Sequence, residues 1–297
     1  MTAAMTLQTM GTMVSLTSWD AGPAMPVEAE LGEVWLGESG PVQAEPGEVC
    51  PGETGSVEAG PGEAGSLEPG AWSSAAGLRG IEAIFTAADR TFSLYREDSE
   101  LSRIAAGTLS LADSSPAVKE MYALALEWRT ATEGAFSPHR PDAVVDLSGV
   151  VKAWAMAAAG DLLVSLGLRN WCLNAGGDVL CCGTAPGSVP WSVGIVDPLE
   201  RTSLLGSIDA SAERPAVATS GNAERGEHIW RQPGGSRDFV QVAVRAPDII
   251  TADVLATAII AGGRPSLDHA TDSWPVDVLA VLPDGSLLAT PGFTSPR

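Results

Sequence analysis

VDLSGVVKAWAMAAAGDLLVSLGLRNWCLNAGGDVLCCG, residues 145–183, passes from a helix into a hairpin without a linker. The segment after Gly149 reads as a helix that stops at Gly167, where a glycine tolerates the left-handed turn that ends many helices. Two short apolar runs follow, 170–173 and 179–182, with Gly176-Gly177-Asp178 between them as a turn signal. A third strand is predicted at 191–196. Strands that neighbour in sequence and join by short turns pair antiparallel, and a long helix beside them must cover one face.

The same alternation continues on both sides of this run. Upstream, residues 80–94 place Ile81, Ile84, Phe85, Ala88 and Phe92 at helical spacing. A second helix is predicted over 115–131, with Ser115 as its cap and Pro116 in its first turn. Downstream, strands are expected at 216–220, 239–245 and 276–282, and a helix over 251–261. The expected fold class is therefore α+β, a single domain with a mixed, mostly antiparallel sheet packed with helices.

A chain of 297 residues with 45% hydrophobic residues can bury a large core. The net charge of −20 argues against nucleic acid or an anionic lipid surface as the main partner. No run reaches the ~20 apolar residues that a membrane-spanning helix needs. The first 16 residues carry no Lys or Arg and no long apolar run, so no secretory signal is expected and a cytoplasmic location is. The four cysteines, Cys50, Cys172, Cys181 and Cys182, lack zinc-ligand spacing and read as reduced thiols.

Charge is distributed unevenly. Eleven of the 37 acidic residues lie between Asp20 and Glu68, ahead of the first basic residue, Arg79. Without those eleven, 26 acidic residues stand against 17 basic ones. This stretch repeats Pro-Gly-Glu and has few large apolar side chains, so it is expected to be a disordered insertion over 20–77. It divides residues 1–19, which carry a strand at TMGTMVSL (9–16), from the main domain at 78–297. Loop closure grows slowly with length, so the strand can still join the sheet. An acidic docking tail for a basic partner is the alternative reading of the insertion.

Several residues have the chemistry of a site. Asp253 and Thr257 lie four apart on a predicted helix, so carboxylate and hydroxyl share one face and offer hard oxygen ligands of the kind Mg²⁺ takes. A capping Asp253 with a packing Thr257 would give the same pattern. Asp146 and Lys152 bracket a helix start, which can receive an anion on its free N–H groups; Lys152 is one of two lysines in the chain. Thr219, Ser220 and Gly221 are small enough to let a ligand approach the backbone. Tyr95 and Phe136 offer aromatic faces, and His228 suits proton exchange near neutral pH.

Seven motifs in order give these residues a common context: MGT (10–12), FSLYREDSELSRI (92–104), TEGAFSPH (132–139), VDLSGVVKAWA (145–155), LNAGGDVLCCG (173–183), ATSGNAERGEHI (218–229) and TADVLATA (251–258). Together they resemble the FAD:protein FMN transferases of the ApbE family. The resemblance implies FAD as substrate, Mg²⁺ as cofactor and an acceptor flavoprotein with a Thr or Ser attachment site. It implies metal ligation by Asp253, Thr257 and the Gly149 carbonyl, and catalytic roles for His228 and Asp253. Flavin-nucleotide contacts are implied at Met10, Tyr95, Ala135, Phe136, Ser137, Asp146, Lys152, Thr219, Ser220 and Gly221. The chain departs from the family pattern at Ser137, Ala153 and Gln232. The expected activity is transfer of FMN from FAD to a protein hydroxyl with release of AMP; a hydrolase giving FMN and AMP, and a non-catalytic FAD-binding protein, are the alternatives.

Overall fold

A computed structural model of the chain describes residues 3–19, 70–221 and 237–293. Ten strands and five α-helices lie within these residues: β1 Ala3–Thr9, β2 Thr12–Ser18, α1 Gly70–Phe92, α2 Glu100–Ala105, α3 Pro116–Ala131, α4 Ser148–Ser165, β3 Trp171–Ala175, β4 Asp178–Cys182, β5 Trp191–Val196, β6 Leu204–Ala210, β7 Ala216–Gly221, β8 Gln241–Ala246, α5 Ile249–Ser273, β9 Asp277–Val281 and β10 Leu287–Ala289.

Eight strands form one sheet in the order β1-β2-β3-β4-β7-β8-β9-β10, and every neighbouring pair is antiparallel. Its two faces are covered differently. α4 and α5 pack on one, backed by α1 and α3, and enclose the main core around Phe85, Met156, Leu173, Phe239 and Ile259. The β5-β6 hairpin covers part of the other with a smaller core that includes Val193, Ile195, Ile208 and Val217. Strand alternation sends successive residues of β3, β4 and β7 to opposite cores.

The register brings several chain reversals to one end of the sheet. Val14 pairs with Ala175, so the Met10-Gly11 turn of the first hairpin lies beside the Gly176-Gly177 turn of the second. β7 runs toward the same end and finishes at Gly221, opposite Gln241 at the start of β8. Both turns carry positive φ at both central residues, 49° and 66° in the first, 61° and 95° in the second, which matches the twist of tight hairpins.

The structure alters three expectations. The predicted strand over 9–16 is the end of one strand, a turn and most of a second, because Met10 takes the left-handed conformation beside Gly11. The predicted insertion over 20–77 extends too far: residues 70–77 already belong to α1. There α1 lies close against α4, and a Cβ at Gly77 or Gly80 would meet Leu163 or Leu162 at 2.9 and 2.2 Å. The final helix runs on from the predicted 251–261 to Ser273, passing a break at Gly263 where φ is 68°. Elements α2, β6 and β10 were not among the predicted ones.

Candidate functional site

At the shared end of the sheet, α4 and α5 bring three charged side chains together. Lys152, in the second turn of α4, forms an ion pair with Asp178 at the first position of β4 and a second, at 3.5 Å, with Asp253 of α5. Both carboxylates are buried, with Asp178 at 0% and Asp253 at 4% exposure. The other Asp178 oxygen, Oδ1, accepts the Thr219 backbone N–H at 3.0 Å, tying β4 to the end of β7. One ammonium thus serves two buried carboxylates, and this pairing offsets part of the cost of taking their charges out of water.

The position of Asp253 argues against the capping reading. The α5 cap is Asp248, whose carboxylate accepts the Thr251 N–H at 2.8 Å and the Thr251 hydroxyl at 2.6 Å. Asp253 lies inside the helix and has no capping task. Thr257, one turn further on, shares a hydrogen bond between its Oγ1 and Ser220 Oγ at 3.1 Å. The carboxylate of Asp253 and the hydroxyls of Thr257 and Ser220 are a hard-oxygen donor set, the type that suits Mg²⁺.

Thr219 and Ser220 separate across the sheet. Ser220 meets α5, whereas Thr219 lines a cavity of about 270 Å³ on the opposite face with Asn174, Gly177, Ser192, Arg201 and Gln241. Gly221, at the end of β7, pairs with Gln241.

The other predicted residues fall around this centre. Asp146 closes the turn into α4 by accepting the Ser148 N–H at 2.9 Å. Gly149 sits under Phe136: a Cβ there would stand 2.8 Å from Phe136 Cε2, so the ring rests against the first turn of α4. Phe136 is 3% exposed and belongs to the main core, a different place from an open stacking surface. Ala135 approaches Gly262 of α5, and Ser137 Oγ accepts the His139 N–H at 3.1 Å. Met10 packs on the edge of the main core at its turn, while Tyr95, 88% exposed, follows the end of α1. His228 and Gln232 lie outside the described residues.

Asp178 is the residue that the site reading overlooked. The Gly-Gly-Asp segment was read as a turn signal, yet an aspartate that opens a wholly buried strand needs a cationic or N–H partner, and this is the clue the sequence held.

The fold and this site together define an α+β domain with a buried charged centre at one end of its sheet. Solved structures of the same fold include the flavin transferase ApbE of Vibrio cholerae, with a TM-score of 0.67 at 20% identity over 98% of each chain. The apo flavinyl transferase ApbE of Pseudomonas stutzeri superposes with a TM-score of 0.68 at 19% identity, over 99% of this chain and 95% of that one. Residues 137–279 match the model of the ApbE family. The chain is also similar to two proteins named FAD:protein FMN transferase, at 35% identity over 164 residues in Rhodobacter capsulatus and 27% over 169 residues in Vibrio cholerae. The matches span about half of this chain, and 30% and 50% of those relatives. Among the described residues no helix is long and apolar enough to cross a membrane.

Proposed function

We propose that the chain is a Mg²⁺-dependent FAD:protein FMN transferase, moving FMN from FAD to a Thr or Ser hydroxyl of an acceptor flavoprotein and releasing AMP. The observation that carries this reading is the meeting of Lys152, Asp178, Asp253 and the Ser220-Thr257 pair at one end of the sheet. The match of residues 137–279 to the ApbE family model and the names of the two curated relatives support it.

Asp253 and Thr257, with the Gly149 carbonyl, are the groups proposed to hold Mg²⁺. When bound, the ion supplies charge neutralisation at the FAD pyrophosphate. Lys152 is anchored by Asp178 and positioned to bind a phosphate oxygen as a point charge. The acceptor hydroxyl oxygen forms a bond to the flavin-side phosphorus as the bond from that phosphorus to the bridging oxygen breaks. AMP departs with the bridging oxygen and its electron pair, and FMN stays on the acceptor as a phosphoester. The hydroxyl proton passes to a general base, the role proposed for His228. Met10, Tyr95, Ala135, Phe136, Ser137, Asp146, Thr219, Ser220 and Gly221 are the proposed nucleotide contacts and their supports. We place the reaction in the cytoplasm.

Incubating the chain with FAD, Mg²⁺ and an acceptor domain tests the proposal. Covalent FMN fluorescence on the acceptor, with one AMP per FMN attached, is the expected result. Free FMN and AMP would make the chain a hydrolase, and intact bound FAD would make it a binding protein.

A further inference from the structure

The sheet face turned away from α4 and α5 carries a pair of thiols that the flavin chemistry does not use. The β3-β4 register sets Cys172 directly opposite Cys181. Cys181 is buried in the smaller core and Cys172 packs at its edge, while Cys182 belongs to the main core. The Cys181 N–H donates to the Pro215 carbonyl at 2.9 Å, toward the β7 side and away from β3. On the β3 side the two cysteines therefore form a non-hydrogen-bonded pair, the kind in which opposed Cα atoms approach to about 4.5 Å. That separation falls inside the roughly 4.4–6.8 Å window of disulfides.

Both cysteines are free, and Cys172 lines the cavity of about 270 Å³ beside Asn174, Thr219, Arg201 and Gln241. From these positions we propose that Cys172 and Cys181 are a thiol–disulfide exchange site, which takes up a disulfide from a small disulfide of the glutathione class. The Cys172 thiolate attacks a sulfur of the donor through the cavity, forming a mixed disulfide and releasing one donor thiolate. Cys181 then loses its proton to solvent and its sulfur attacks Cys172 Sγ. The second donor thiolate leaves. The donor disulfide gains two electrons and becomes two thiols, while the protein dithiol is oxidised to one cross-strand disulfide.

The division of roles follows from the surroundings of the two thiols. A hydrogen bond from Cys181 holds the Cys172 thiol below its usual range against the opposing effect of burial. The same hydrogen bond, together with burial, pushes the Cys181 thiol up. Cys172 is therefore the attacking sulfur and Cys181 the resolving one. The cross-link ties together the hairpin that presents Asp178 to Lys152.

The test equilibrates the full chain with glutathione and excess glutathione disulfide, quenches with N-ethylmaleimide under denaturing conditions and maps peptides by mass spectrometry. The Cys172 and Cys181 thiols are expected to disappear together into one linked peptide and to return with dithiothreitol. Cys181→Ser should stop at a glutathione adduct on Cys172, and Cys172→Ser should leave Cys181 unmodified. Full alkylation of both cysteines in the parent chain would overturn the proposal. So would a stable glutathione adduct on Cys172 in the parent chain, or linkage of either thiol to Cys50.

Discussion

Lys152 Nζ stands 3.5 Å from Asp253 Oδ2 and closer still to Asp178 Oδ2, so a single ammonium from α4 bridges the first strand residue after a glycine turn and the second turn of α5. The two contacts differ in consequence. Asp178 also accepts the Thr219 N–H and is fixed by the sheet, whereas Asp253 shares its helix face with Thr257. Asp178 thus acts as the anchor of the lysine, and Asp253 is the carboxylate proposed to engage a divalent cation.

Asp178→Asn separates these duties. The amide oxygen can still accept the Thr219 N–H, but the negative charge that holds Lys152 is gone. Breaking a buried pair costs about 3–5 kcal/mol, and the partial exposure of Lys152 reduces this to about 2 kcal/mol. Urea unfolding followed by circular dichroism should show that loss. A change below about 0.5 kcal/mol, the level of an ordinary surface substitution, would remove Asp178 from its anchoring role.

The proposed metal ligands predict a graded series. Asp253→Asn keeps the size of the side chain and removes its charge, so Mg²⁺-dependent FMN transfer should fall by about 100-fold or more. Ser220→Ala removes the hydroxyl that hydrogen-bonds Thr257 Oγ1 and leaves the three proposed metal ligands, Asp253, Thr257 and the Gly149 carbonyl, in place. Its effect should be milder: about a tenfold higher Mg²⁺ requirement with near-normal turnover at saturating Mg²⁺. Titrating Mg²⁺ against transfer rate for both variants checks the order; an unchanged Mg²⁺ requirement in Ser220→Ala would show that Thr257 is not positioned by Ser220.

Much of the fold was legible because periodicity and turn chemistry agreed. Ser115 caps α3 with Pro116 in its first turn, and the β3-β4 hairpin turns at Gly176-Gly177, both as their residue types require. β5 lies over 191–196, where its alternation placed it. β6 was missed because LLGSIDA carries a glycine and shows only Ile208 and Ala210 as buried positions. The start of α1 was obscured because Gly70 and Gly77 resemble the Gly/Pro-rich stretch before them, although Gly77 serves close helix packing. For the site, the spacing of Asp253 and Thr257 spoke for a shared helix face. Nothing local in the sequence announced that Asp178 and Lys152, 26 positions apart by residue number, would meet.

Gly149 offers a test of packing near the proposed carbonyl ligand. Its missing Cβ leaves room for the Phe136 ring, and an added methyl would stand 2.8 Å from Cε2. Gly149→Ala should destabilise the chain by about 1–3 kcal/mol, the range for overpacking a filled core. Trimming the ring in a Gly149→Ala, Phe136→Leu double variant should recover part of that loss, because the clash and its relief share one contact. Thermal melts of the two single variants and the double variant give the coupling. Strictly additive losses would mean that backbone strain at 149, not the ring, sets the cost.

Residues 20–69, between β2 and α1, provide the last test. Their acidic Gly/Pro/Glu composition argues that they contribute little apolar burial, and the proposal is that the folded domain does not need them. The cut must stop at 69, because α1 begins at Gly70 and packs on α4 from at least Gly77 onward. Replacing the stretch with a Gly/Ser linker of about 12 residues shortens the loop by about two doublings, and each doubling costs about 0.6 kcal/mol of closure free energy. The expected outcome is a stability equal to the parent or higher by about 1 kcal/mol, with FMN transfer retained. A variant that melts several degrees lower, or that no longer accepts FAD, would show that the acidic stretch is part of the domain's core or its nucleotide site.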